Sequence, residues 1–550
     1  MILQNLRRHL GKTLGLFIFI FLSLSTVFWT LSERTPPPWD PADHISAAYD
    51  YYSLLARLDL RGFAHEFFSA THYYAPMVHL TGAIVFLVLG ASRLTGIAVN
   101  LISLAGLMWA VSWMARTVYG HDRADQLPKA RSTSYSQVAL TILPALVCAC
   151  YHFSAWLMHD AFLDFPLMAA VAVSFALLIR AGDFKDRRSA LVFGISVGLG
   201  LLVKQTFAFF FALPALYVVF RVLFSRERRA IANLALAAVV GVAIAAVWYA
   251  PHFRDVIAVY HQNQQAAIDE GEAPLYSFES NFFYIHALIS MQMQLPLGAL
   301  FLCGLVYSLV RCRRESVLLY LWLISGIGVF ALVANKDVRY TVPVLPAAAL
   351  LSVCWLRERK PVGADSRSAA PPSDRGARIP AKVSMALKLV LGIAIAAWSL
   401  VSFLNAQWPK DGFGYAIDTP RWRWMVYARN YYGFDHRPLQ DDWSVPEIVR
   451  TVAERSHTSA NPNRSSGGDA AHQPAPSESL SPRTGAADGR PTLGVVVNLP
   501  YLNPSTLALE ARLKAPKRAG PPVITVEWIV IESAFDRIDR CDYLLVRTGL

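Results

Sequence analysis

Long apolar runs separated by short basic or polar clusters recur along this chain from residue 13 to residue 405. The first, Thr13–Ser32, holds 20 residues without a charge, enough for a helix to cross roughly 30 Å of hydrocarbon. Its apolar part is long, no small-residue cleavage pattern follows, and similar runs come after it, so the spacing predicts a retained helix and not a signal peptide. Further spans are expected near 95–115, 137–157, 161–180, 189–204, 205–224, 230–250, 292–310, 316–335, 340–356 and 384–405, about eleven in all. The runs after Asp164 and after Arg188 have only 15 uncharged residues each. Helices that short are expected to be shielded by neighbours, with their end charges snorkelling outward.

The positions of Lys and Arg orient these spans. Arg7, Arg8 and Lys12, then Arg116–Arg131, Arg180–Arg188, Arg221–Arg229, Arg311–Arg314 and Arg357–Lys382 occupy alternate connections. Basic loops stay on the cytoplasmic side, so the N-terminus is expected inside and the intervening loops outside. Residues 76–90 are apolar enough to span, but a full crossing there would put Arg116–Arg131 outside. They are therefore expected to form an interfacial or re-entrant helix within a long first external loop, 33–94.

Composition agrees with this pattern. The chain is 54% hydrophobic and 16% charged, which marks an α-helical polytopic membrane protein. The net charge of +12 falls mostly in one set of loops, so it signals topology and not nucleic-acid binding. Of six cysteines, Cys148, Cys150, Cys303, Cys312 and Cys354 lie in or beside spans and Cys541 stands alone in the tail, a pattern of packing residues without a disulfide framework or zinc site.

Four units follow. Residues 1–356 form the membrane body, 357–382 a polar, flexible cytoplasmic linker, 383–408 the last span, and 409–550 an external domain. Within that tail, 456–491 is rich in Ser, Pro, Gly, Asn and Ala and is expected to be disordered. Around it the pattern predicts a helix (Val445–Arg455), a strand (Leu493–Asn498), a helix (Pro504–Leu513) and strands over Val523–Ile531 and Asp542–Arg547, a small α/β domain. No Gly-rich phosphate loop opens either helix, which leaves a structural or acceptor-facing module.

Candidate chemistry collects where the first span ends. Thr35-Pro36-Pro37-Pro38-Trp39-Asp40-Pro41-Ala42-Asp43-His44 carries two carboxylates, a histidine and a stiff run of prolines in an expected external loop. His72-Tyr73-Tyr74-Ala75-Pro76 and His79, His159-Asp160 through Asp164, Lys204-Gln205, and Asn335-Lys336-Asp337-Val338-Arg339-Tyr340 fall on the same side at similar depth. Ionisable groups near hydrocarbon are costly and tend to mark function, whereas any one of them alone is equally well read as a solvated anchor. Together, a carboxylate available as base beside Lys204, Lys336 and Arg339 suits an anionic lipid headgroup.

Trp39-Asp40, Tyr73-Tyr74-Ala75-Pro76, Asp160 with Leu163-Asp164-Phe165-Pro166, Gly198 with Leu202-Val203-Lys204, and Lys336-Asp337-Val338-Arg339-Tyr340 with Pro343 and Pro346 occur in that order over residues 10–356. In this order and spacing they resemble the GT-C superfamily glycosyltransferases, specifically the family 39-like group related to protein O-mannosyltransferases and lipid A aminoarabinose transferases. The resemblance implies a GT-C-like body of about 11 transmembrane helices with a small C-terminal extramembrane α/β domain, in a bacterial-type inner or plasma membrane as part of the cell envelope machinery. It implies a hexosyl- or pentosyltransferase that moves a sugar from a polyprenyl-phosphate donor to a lipid, glycan or protein acceptor at the external face. Asp40 corresponds to the family's first-loop acidic residue, usually the leading member of an Asp-Glu pair. Here Pro41 stands in the second place, with Asp43 and His44 as candidates to compensate. A second departure is Ile97, where relatives often carry arginine, and Arg93 lies one turn away.

The expected roles follow. Asp40 is base or acceptor-orienting group, with Asp43 and His44 in support. Lys204, Lys336, Arg339, Tyr340 and Arg93 meet the donor phosphate, and Tyr74, His79, Asp160 and Asp164 line the substrate cavity. Direct displacement predicts inversion at the anomeric carbon. A divalent cation is compatible with Asp40 and the nearby histidines, although no fixed ligand spacing calls for one. The rival readings are a transporter or flippase of lipid-linked saccharides, which should carry ionisable groups at mid-membrane in broken helices, and a non-catalytic GT-C relative.

Overall fold

The computed structural model describes residues 2–69, 74–119, 135–311, 316–356, 381–410, 414–427, 436–459, 490–497, 499, 502–515, 522–528 and 541–546. α1 (Ile2–Ser32) leads into α2 (Trp39–Ala56), α3 (Leu60–Ser69) and α4 (Met77–Leu89), and a four-residue α5 (Arg93–Gly96) turns the chain into α6 (Ala98–Tyr119). Next come α7 (Tyr135–Cys150), α8 (His152–Leu157), α9 (Asp164–Ala181), α10 (Arg187–Leu201), α11 (Phe207–Ser225) and α12 (Arg228–Asp269). α13 (Phe278–His286) runs through a π-helical stretch, Ala287–Gln292, into α14 (Leu295–Val310), α15 (Val317–Ala331), a 3-10 helix over Val338–Val344, α16 (Leu345–Val353) and α17 (Ala381–Gln407). The tail holds a hairpin, β1 (Tyr415–Asp418) and β2 (Arg423–Tyr427), then α18 (Val445–Ser459), β3 (Thr492–Val495), α19 (Pro504–Leu513), β4 (Thr525–Trp528) and β5 (Tyr543–Leu545).

Each apolar run expected to span is helical, and the fold is that of a polytopic membrane protein. Among the described residues seven helices are long and apolar enough to cross a membrane, or eight if the bent pair over 278–310 is one span. The remaining three, α7, α10 and α15, are 16, 15 and 15 residues long. α4 has 13 residues, ~20 Å of helix, short of the hydrocarbon thickness.

Three segments differ from the apolar pattern. The stretch expected to be a loop through residue 44 becomes helical at Trp39, so Asp40, Asp43 and His44 all lie on α2. Pro41 falls in the first turn, where a missing N–H costs nothing, and the Asp40 carboxylate suits the positive end of the helix. α12 continues through Pro251 to Asp269, well past the expected span 230–250, because Ala258, Gln262, Gln264, Gln265, Ala266 and Ala267 are good helix formers in a stretch too polar to read as a span. The expected span 292–310 is only part of a longer element. It bends by 120° from the helix before it, at Gln294, whose φ of +63° ends the preceding turn.

The short helices survive by close packing. Gly194 and Gly198 on α10 face Ala237, Gly241 and Ile244 on α12; a Cβ at Gly194 would lie 2.4 Å from the Ala237 carbonyl oxygen, and one at Gly198 2.8 Å from that of Gly241. Small residues four apart let two backbones meet and gain dispersion contact that lipid cannot supply. α9 is largely buried, with Phe175 stacked on Trp322 at 3.9 Å between ring centroids.

The tail is a small α/β unit as its pattern predicted, with parallel strands in the order β4-β3-β5. Asn503 and Thr506 cap α19 reciprocally, with Pro504 at the first helical position. The β1–β2 hairpin, unforeseen in the sequence, docks on the bent helix: Ser290 Oγ donates to the Arg423 carbonyl and accepts from Met425 N. The linker expected over 357–382 and the insert expected over 456–491 lie almost wholly outside the described residues, except that α18 extends to Ser459.

Gly194→Leu is expected to force α10 from α12 and cost about 1–3 kcal/mol, whereas Gly328→Ala, with nothing within 4 Å of the added carbon, should leave stability unchanged or slightly raised. Thermal unfolding of the two variants in detergent distinguishes them; equal melting would contradict the close approach.

Candidate active site

The prolines after α1 deliver the chain to α2, whose first turn presents Asp40. Its Oδ2 accepts a hydrogen bond from Arg339 Nη1 at 2.9 Å. Arg339 is the second residue of the 3-10 helix, and Asp337, its N-cap, fixes it from the other side. The Asp337 side chain accepts from Arg339 N at 2.8 Å, from Nε at 2.8 Å and from Nη2 at 2.6 Å. The guanidinium lies 4.7 Å from the centroid of the Phe162 ring. Burial works to raise the Asp337 carboxyl, but the Arg339 charge and hydrogen bonds outweigh it and hold that group below its ordinary range. Arg339 is thus a pre-oriented fork: two of its nitrogens are committed to Asp337 and a third to Asp40.

Beside it, Lys204 follows the end of α10 and donates to Asp164 Oδ1 at 2.8 Å, with 12% and 3% of the two side chains exposed. Asp164 is the first residue of α9, where a carboxylate again meets a helix N-terminus. The Lys204 ammonium also sits 5.7 Å from the Tyr340 ring centroid, and the Tyr340 hydroxyl donates to Asn335 Oδ1 at 3.3 Å. Asp40, Asp164 and Asp337 all act electrostatically on Arg339. Three carboxylates and two cations, with Tyr340, therefore share one locus built from α2, α9, the α10–α11 connection and the 3-10 helix. Gln292 of the bent element braces that helix from behind, donating to the Val338 carbonyl at 2.6 Å and to Thr341 Oγ1 at 2.9 Å.

Other expected site residues go elsewhere. Lys336 donates to the Phe330 and Ala331 carbonyls at 3.2 and 3.0 Å, closing the C-terminal end of α15. Its ammonium faces the Tyr284 ring, and burial pushes its pKa below the usual range. Arg93 donates to the Thr35 carbonyl and covers the Trp29 ring. With Glu33, Thr35, Pro36, Pro38, Asp160 and His436 it lines a separate small pocket behind the proline run. His44 is buried and lies 3.2 Å from His79, Nδ1 to Nε2, with the Tyr74 ring edge-on to it. His44 borders a small pocket whose wall includes Phe162. Asp43 is exposed on α2 and feels the charge of Arg512.

Asp337 had a visible signal, a carboxylate two residues before an arginine, but the spacing did not show that it would grip that arginine. Phe162 and Gln292 had none. Among the described residues no group of three or more His, Cys, Asp or Glu side chains is arranged to hold a metal ion.

No protein-family model matches the sequence, and no curated protein is similar to it. Among solved structures, the chain resembles the crystal structure of ArnT from Cupriavidus metallidurans in the apo state. The identity is 16%, over 96% of this chain and 89% of that one, with a TM-score of 0.52. A structure of the same protein bound to undecaprenyl phosphate superposes at 16% identity over the same shares, with a TM-score of 0.49. The likeness to the apo structure shows the fold: this chain shares the polytopic membrane architecture of that protein.

Burial raises the Asp160 carboxyl from 3.8 to about 6, with Arg93 and His436 opposing and Glu33 adding to the rise. The folded state thus holds this proton more tightly than the unfolded chain, so the folded state weakens as pH rises through about 6. Asp160→Asn, which keeps the neutral shape, is expected to raise the unfolding temperature more at about pH 8 than at about pH 5. A gain as large at the lower pH would contradict the assignment.

Proposed function

We propose that the protein is an integral membrane glycosyltransferase that passes a sugar from a polyprenyl-phosphate donor to a lipid, glycan or protein acceptor. The observation that carries this reading is the contact of Asp40 with Arg339, 2.9 Å apart and flanked by the Lys204–Asp164 pair. A base and two cations suited to a phosphate lie in one locus, at the ends of helices and not along a path through them. This arrangement favours an enzyme over a carrier of lipid-linked saccharides, which needs such groups where helices break at mid-membrane.

In this reading the acceptor hydroxyl attacks the anomeric carbon while Asp40 takes its proton. The bond from that carbon to the phosphate oxygen breaks, and the polyprenyl phosphate leaves with the electron pair. Arg339 and Lys204 offset the charge that develops on it. Arg339 can turn its Nη1 from Asp40 to the phosphate while Asp337 keeps the fork in place, which frees Asp40 to act as base. A single displacement inverts the anomeric centre. Tyr340 would border the sugar, and Lys336 would act indirectly, by anchoring the turn that carries Arg339. The alternation of basic loops supports a cytoplasmic N-terminus, with the site and tail domain on the external face.

The test incubates purified protein in lipid with labelled polyprenyl-phosphate sugars, with and without a chelator, since a divalent cation at Asp40 would share the neutralising task. Asp40→Asn should lower kcat by roughly 10²–10⁴-fold with donor KM little changed. Lys204→Ala and Arg339→Ala should chiefly raise donor KM. Arg339→Lys should not restore activity, because one ammonium cannot hold Asp337 and reach Asp40 together. Equal transfer by wild type and Asp40→Asn would remove Asp40 from the mechanism.

A further inference from the structure

Two parts of the tail grip the segment that carries Asp40, one on each side of it. Before Asp40, residues 436–440 run along the end of α1. Trp29 Nε1 donates to the His436 carbonyl at 3.3 Å, Arg34 N donates to the Leu439 carbonyl at 2.9 Å, and Leu439 N donates to Glu33 Oε2 at 3.0 Å. The Gln440 amide donates to the Ser32 carbonyl at 3.0 Å. After Asp40, α19 lies against α2. Arg512 makes a bidentate pair with Asp50, Nε to Oδ1 and Nη2 to Oδ2, both at 2.9 Å. Leu509 is buried in the same hydrophobic cluster as Ala42, Ile45, Ala48, Tyr49, Tyr52, Ala83 and Phe86.

Asp50 is ten residues from Asp40, ~15 Å along a rigid helix. A small tilt of α2 about its packed middle, at Ile45 and Ala48, would therefore carry Asp50 and Asp40 in opposite directions and move Asp40 relative to Arg339, which belongs to a different element. Asp43 and Asp50 are seven residues apart, two turns on one face of α2, and both carboxylates act on Arg512. Only 22% and 29% of the Arg512 and Asp50 side chains are exposed, so the bidentate contact is directional and partly shielded from water.

Resting on the glycosyl-transfer reading, we infer that Arg512 is a positioning residue for Asp40: by fixing Asp50, the tail domain sets the angle of α2 and hence the distance between base and phosphate-binding fork. The tail then acts on the reaction through α2 without touching substrate. The proline run between the two grips transmits the constraint, since it cannot flex to absorb a shift.

The test uses the full-length protein in lipid. It compares Arg512→Ala, Asp50→Asn and Lys514→Ala, the last at the residue that follows α19, where the ammonium pairs with Glu510 of that helix. Hydrogen exchange over residues 36–50 and the kinetic split are both measured. The first two variants should exchange faster over 36–50 and lose about 10- to 100-fold in kcat, the scale of a misplacement near 1 Å, with donor KM within about twofold of wild type. Lys514→Ala should match wild type in both. Unchanged exchange, or faster exchange with unchanged kcat, overturns the inference, as does a loss that appears only as less folded protein. If wild type transfers no sugar at all, the reading of the site fails instead, and the exchange comparison still decides whether Arg512 holds α2.

Discussion

A guanidinium at the edge of an apolar core is stable only when its N–H groups find acceptors, and Arg339 imposes that constraint on this protein. Its charge is half-buried against Phe162 and tied to carboxylates from two sides. Removing Asp337 would leave a partly shielded cation without its main counter-charge, at a cost above that of a fully exposed ion pair. The elements around it are arranged accordingly. The 3-10 helix begins where Asp337 can cap it, α2 begins where Asp40 can reach it, and Gln292 holds the backbone that both depend on. The same constraint keeps the locus small, because every added charge must bring its counter-charge, as Lys204 brings Asp164.

Much of this architecture was legible in the sequence, because lipid imposes a length and a polarity that local patterning displays. The spans declared themselves as uncharged runs, and the tail's alternation of helix and strand showed in its caps and β-branched stretches. Asp40, Asp164, Lys204, Arg339 and Tyr340 could be named as neighbours because topology set them at one depth. Depth, however, does not set direction. Lys336 lies in the same short segment as Arg339 and turns to the end of α15. Arg93 turns behind the proline run, and His44 turns toward His79. Two residues of separation or one rotamer decides between site and scaffold, and no periodicity records it.

The backbone surprises have a related cause. Apolar counting sees where a helix meets lipid and is blind to where it continues in water, so α12 ran on unnoticed and α2 passed for a loop. The bend at Gln294 and the hairpin that covers it depend on contacts between residues more than a hundred positions apart. Pro41 illustrates the opposite case. It removes a second acid from the first turn of α2, yet two carboxylates still meet Arg339, because Asp337 arrives from the far side of the chain.

The clasp between the end of α1 and the tail also has a consequence in time. Glu33 is almost wholly buried, and its carboxylate accepts from Leu439 N, 406 residues further along the chain. At ribosomal speeds of about 5–20 residues per second, that partner emerges roughly 20–80 seconds after Glu33 has been made. Through that interval the turn leading to Asp40 lacks its hydrogen bonds to residues 436–440. The clasp therefore joins the beginning of the chain to its end, so a nascent or truncated copy can carry the first helix and still lack the contact that holds the turn before Asp40.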